Sequence, residues 1–106
     1  MRASKQNIIE YLHTIKPQLQ SSGIKSLALF GSFAKDTSNV YSDIDIDIAI
    51  SKQDDFLEHN TSYDYFDIIS NIKTKIKNQF HRNIDIFDLD SNSSLKDSIR
   101  KDLIYV

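Results

Sequence analysis

The chain has 106 residues, 40% of them hydrophobic and 26% charged, with a net charge of −2 and no cysteine. That size holds one hydrophobic core, so a single domain over residues 1–106 is expected, without a second domain to wall a deep pocket. The composition excludes disulfides, thiolate metal sites and a cysteine nucleophile, argues against general gripping of nucleic-acid backbones, and offers no apolar stretch near 18 residues; a cytoplasmic protein off the membrane is expected.

Ile8, Leu12, Ile15 and Leu19 recur at helical spacing, which predicts an amphipathic helix from Ser4, its N-cap, to about Gln20. Pro17 falls inside that pattern and predicts a kink or a fresh turn, and Gly23 closes the helix. The short apolar run up to Phe30 abuts Gly31 and suits a buried strand. Residues 31–36 read as a turn into a short helix, followed by a polar loop to Ser42. Asp43 to Ile50 then alternates strictly, with Asp43, Asp45 and Asp47 on one face and four isoleucines on the other, the mark of a second strand.

Residues 54–60 read as a linker or short helix, and Tyr65, Ile69, Ile72, Ile76 and Phe80 predict a long helix. Charge is uneven here: residues 36–67 carry nine acids against one base, Lys52, whereas residues 68–82 carry Lys73, Lys75, Lys77 and Arg82 with no acid. Ile84 to Leu89 predicts a third strand, and Leu95, Ile99 and Leu103 a last helix that fades into Ile104-Tyr105-Val106. The order implies an α/β (α+β) fold, helices packed on a small sheet.

Three aspartates on one strand face stand roughly 6 to 7 Å apart and repel when ionised. A wet sheet face would explain one of them. For three, a divalent cation is the better explanation, because Mg²⁺ takes a few carboxylates together with phosphates and water. Upstream, Gly31-Ser32 ends a strand and opens a helix, where a glycine lets backbone approach a phosphate and Ser32 and Lys35 add a hydroxyl and a cation.

Read together, Leu29-Phe30-Gly31-Ser32-Phe33-Ala34-Lys35 and Ser42-Asp43-Ile44-Asp45-Ile46 resemble the signature of the DNA polymerase β-like nucleotidyltransferases. The length, the opening helix with its Lys-Pro, Ile84-Asp85-Ile86 and the closing Ile104-Tyr105-Val106 look like the minimal nucleotidyltransferase (MNT) branch. That resemblance implies a mixed sheet backed by helices, with Asp43, Asp45 and a later-strand carboxylate, Asp85, as catalytic groups holding two Mg²⁺ ions. It also implies nucleotide binding at Gly31, Ser32, Lys35 and Ser42, with ATP as the substrate. Asp88 is the runner-up third carboxylate, against a reading as a solvent-facing strand-end acid, and Asp47 extends the acidic face beyond the usual motif. Lys35-Asp36 replaces the family's usual Arg-Gly, which predicts weaker triphosphate binding.

Members of the minimal branch typically stand beside HEPN-family toxins, so the resemblance implies an antitoxin that transfers AMP to a hydroxyl, a tyrosine's, of such a partner. The alternative is a non-catalytic antitoxin that neutralises its partner by covering it; an antibiotic-modifying enzyme is a third reading. His13, His59 and His81 share no metal-ligand spacing, and Lys73, Lys75 and Lys77 read as a solvated helix flank.

Overall fold

The structure is a computed structural model that describes residues 2–35, 45–91 and 99–106. Helix α1 (Lys5–Ser21) starts where Ser4 accepts a hydrogen bond from the Asn7 N–H, and buries Ile8, Leu12, Ile15 and Leu19. Pro17 lies within this helix, which continues as one element through it to Ser21 rather than restarting. Gly23, at φ 105°, turns the chain into β1 (Ile24–Phe30). Then follow α2 (Gly31–Ala34), β2 (Ile46–Lys52), α3 (Phe56–His59), α4 (Ser62–Phe80), β3 (Ile84–Asp88) and β4 (Ile104–Tyr105).

The four strands form one mixed sheet in the order β3-β2-β1-β4. β1 runs antiparallel to β2 and β4, whereas β2 and β3 are parallel, joined by the crossover through α3 and α4. Helix α4 begins with a capping box, in which Thr61 and Asp64 satisfy each other's backbone N–H groups. It ends at His81 in the left-handed region.

Alternation sorts the two sheet faces. Leu27, Leu29, Ile46, Ile48, Ile50 and Ile84 turn to the face covered by α1 and by Ile72, Ile76 and Phe80 of α4, forming the main core. Ala28 and Ala49 turn to the other face, where Phe30, Phe87, Leu89 and Leu103 make a smaller cluster. The sheet order puts the C-terminus of β1 and the N-termini of β2 and β3 along one edge.

Two expectations change near the chain's end. Ile104–Tyr105 is a strand on β1, pairing Leu29 with Ile104 and Ala28 with Tyr105, rather than the tail of a helix. The Val106 N–H bonds the Leu27 carbonyl and Lys16 Nζ donates to the Val106 carbonyl, so unpaired ladder groups of β1 take up the last residues. Ile99 and Arg100 are helical, and the Leu95 part of the expected helix lies outside the described residues. Asp45, expected inside the second strand, immediately precedes it.

Candidate active site

Three elements bring carboxylates to one edge of the sheet. Asp45 precedes β2, Asp47 is its second residue, and Asp85 is the second residue of β3, directly across the parallel ladder from Asp47. Their odd numbering puts all three on the face opposite α1 and α4. Burial, then the negative charges of Asp85 and Asp45, push the Asp47 carboxyl up to about 6. Among the described residues, the ion pairs with both partners identified lie elsewhere.

Gly31 is built into the same edge. Phe30 pairs with Asp47, and Gly31 follows at φ 75°, where a Cβ would run into Asp47 Oδ2. Glycine is required twice over, by the left-handed backbone and by the carboxylate against its Cα. Ser32 and Phe33 continue into α2, and Arg82 at the α4–β3 junction stacks 5.5 Å from the Phe33 ring centre. Lys35, at the end of α2, forms an ion pair with Asp102 at 3.3 Å, which ties it to the C-terminal segment.

Of the residues the sequence nominates, Gly31, Ser32, Lys35, Asp45 and Asp85 are thus placed around one sheet edge. Asp43, Ser42 and Asp36 lie outside the described residues. Asp47 is half-buried between Gly31 and Asp85, and sequence left its role open.

Asp88 departs from its reading as a solvent-facing acid. It turns to the helix-covered face, where Lys52 Nζ approaches Oδ2 at 2.7 Å, Tyr65 Oη donates at 2.8 Å, and the Asp90 N–H bonds Oδ1. Burial works against its charge, yet these donors outweigh that and hold the carboxyl below the usual range. Lys52 loses by burial but gains more from Asp88 and Asp90, and its ammonium is held above the usual range, over the Tyr65 ring. Asp88 is a structural tie.

Sequence reasoning missed the lysines of α4. Lys73 and Lys77, with Thr74, line a cleft of about 430 Å³ whose other wall is Asp45, Asn83, Ile84 and Asp85. The helical spacing of residues 73 and 77 put them on one flank, but only the crossover reveals that this flank overhangs the start of β3. Of the histidines, His59 lies 3.7 Å from Asp55, and His81 caps α4.

An all-oxygen donor set at a sheet edge suits Mg²⁺ rather than zinc or copper. Among the described residues no three His, Cys, Asp or Glu side chains are arranged to hold a metal ion by themselves, so the described carboxylates are at most part of such a site. Burial, and then the charges of Asp85 and Asp45, disfavour the ionised Asp47 carboxylate, and an incoming cation would relieve that.

Comparisons with known proteins bear on the family. Residues 7–106 match the family described as polymerase beta, nucleotidyltransferase. A protein of Methanocaldococcus jannaschii, named as a candidate protein adenylyltransferase, is 34% identical over 83 residues, 78% of this chain and 76% of that relative. Among solved structures, a toxin–antitoxin complex with AMP-PNP has a chain that superposes with a TM-score of 0.59 at 20% identity, covering 97% of this chain and 72% of that one. A mutant of the MntA–HpeT toxin–antitoxin gives 0.56 at 17% identity, covering 97% and 71%. A candidate nucleotidyltransferase from Sulfolobus solfataricus gives 0.54 at 22%, covering 95% and 80%. Among the described residues no helix is long and apolar enough to cross a membrane. With a family match over nearly its whole length and a sheet edge furnished with the glycine-serine turn and facing carboxylates, this chain belongs to the polymerase β-like nucleotidyltransferases and is a nucleotidyltransferase.

Proposed function

We propose that the chain is a protein adenylyltransferase of the minimal type, an antitoxin that transfers AMP from ATP to a hydroxyl, a tyrosine's, on a HEPN-type toxin. The observation that carries the reading is the Asp45–Asp47–Asp85 cluster beside Gly31, a set of mutually repelling carboxylates next to a turn that only glycine can make. The relative named for adenylyl transfer to protein, and toxin–antitoxin neighbours of which one holds an ATP analogue, favour this substrate and this partner class.

In this reading Asp43, Asp45 and Asp85 would hold two Mg²⁺ ions, whose chemistry there would be neutralisation of the triphosphate's charge. Gly31 and Ser32 receive the triphosphate, with Ser42 at the motif's start. Lys35 contributes only by leaving Asp102, so triphosphate affinity is held down by a competing ion pair. Asp85, on the edge strand and exposed, accepts the proton of the acceptor hydroxyl. The hydroxyl oxygen then bonds the α-phosphorus as the bond to pyrophosphate breaks. Work is done by positioning and charge, without a covalent enzyme intermediate.

Incubation of the purified toxin partner with this protein, Mg²⁺ and ATP, followed by mass spectrometry, tests the reading. A gain of one or more AMP units that vanishes with Asp45→Asn is expected. Neutralisation of the toxin with no mass change, unaffected by Asp45→Asn, identifies a covering antitoxin instead.

A further inference from the structure

The three lysines of α4 have different surroundings. Lys75 donates to Gln18 Oε1 at 2.7 Å, and Tyr11 Oη donates to the Lys75 carbonyl, so this side of the helix faces α1. Lys73 and Lys77 are about 40° apart around the helix axis and each about 160° from Lys75. Both line the 430 Å³ cleft against Asp45 and Asp85. Two lysines therefore border the cleft on its β3 side, while Gly31 and Ser32 follow β1 on the other side of β2.

We infer that Lys73 and Lys77 form the acceptor subsite, stabilising the attacking hydroxyl as its oxyanion and selecting a phenol over an aliphatic alcohol. The inference rests on the nucleotidyl-transfer reading above. If the triphosphate occupies the Gly31 side, in-line displacement brings the acceptor from the opposite side, which is the cleft beside Asp85. With the carboxylates taken up by cations, the two ammonium groups are surplus positive charge there, and nearby positive charge favours the ionised form of a hydroxyl. A phenol, with a pKa near about 10, is within reach of such a shift; an aliphatic alcohol, far weaker as an acid, is not. The hydroxyl proton passes to Asp85 and on to water, the new O–P bond joins acceptor to AMP, and pyrophosphate leaves on the Gly31 side with the electron pair of the broken bond.

Steady-state AMP transfer to the toxin partner separates this role from that of a solvated flank. The double variant Lys73→Met plus Lys77→Met is expected to lose on the order of 100-fold in kcat, with KM for ATP within about twofold of the parent. Its rate should rise only at higher pH than the parent's, and the double Arg variant should recover most of the activity. Lys75→Met should be neutral. A double Met variant equal to the parent, or Lys75→Met losing as much, overturns the inference. A second arm does not depend on transfer: 4-nitrophenol is titrated by its visible absorbance with saturating protein, Mg²⁺ and a non-hydrolysable ATP analogue. A lowered apparent pKa with the parent and not with the double Met variant supports the subsite, and no shift with the parent overturns it. A parent that shifts the probe yet transfers nothing to the toxin leaves the subsite standing and overturns the adenylyltransferase reading.

Discussion

The parallel pair β2–β3 has two ends that solve the same electrostatic problem in opposite ways. At its C-terminal end Asp88 and Asp90 surround Lys52, Tyr65 Oη completes the group, and with Lys52 only 17% and Asp88 27% exposed the charges are matched inside the protein. At its N-terminal end Asp45, Asp47 and Asp85 gather apart from the ion pairs identified among the described residues, and burial followed by the charges of Asp85 and Asp45 pushes the Asp47 carboxyl up to about 6. An acid that the fold needs is given its lysine. In the function proposed above, acids left beside one another await a cation from outside, and their cost to stability would mark a functional end rather than a structural one.

The largest expected effect breaks the functional end alone. Asp85→Asn or Asp45→Asn should lower AMP transfer by roughly 100- to 1000-fold, while the thermal midpoint stays level or rises because a repelling charge is gone. Loss of the fold in either variant, read by circular dichroism, would mean that these acids are structural after all.

Gly31→Ala strikes the point where backbone and carboxylate meet. Strain at positive φ together with the displaced Asp47 side chain should cost about 2–3 kcal/mol in chemical denaturation, and activity should fall with it. Next comes the structural end: Asp88→Ala leaves Tyr65 without its acceptor and Lys52 with Asp90 alone, and should cost about 2 kcal/mol, with transfer preserved at temperatures where the variant is folded. Activity lost in proportion beyond stability would blur the contrast between the two ends.

The smallest effect is a pH signature. Because the Asp47 carboxyl is raised in the folded state, the folded chain holds a proton that the unfolded chain releases between about pH 4 and about 6. Stability from this group is therefore present at low pH and lost as pH rises to about 6. Asp47→Asn should remove that decline and gain on the order of 1 kcal/mol at pH 7, once solvent screening of a half-exposed group is allowed for. Urea midpoints that change with pH identically in parent and variant would contradict the assignment.

Much of this was readable before any coordinates. Ile8, Leu12, Ile15 and Leu19 announced α1 by spacing, and over the described residues Asp45 to Ile50 the expected alternation separates acids from isoleucines, because both signals are local and periodic. Tertiary pairing is what sequence could not supply. The partner of Asp47 across the ladder, the lysine that claims Asp88, and the pairing of Ile104–Tyr105 with β1 all join residues distant in sequence. Lys73 and Lys77 carried a helical period but no sign of what that flank overlooks.

Calorimetric titration of ATP into the protein, with and without Mg²⁺, tests the central claim most directly. Binding that requires Mg²⁺, disappears in Asp45→Asn plus Asp85→Asn and survives in Asp88→Asn is the predicted result. Binding that ignores Mg²⁺, or that persists in the double variant, would contradict it.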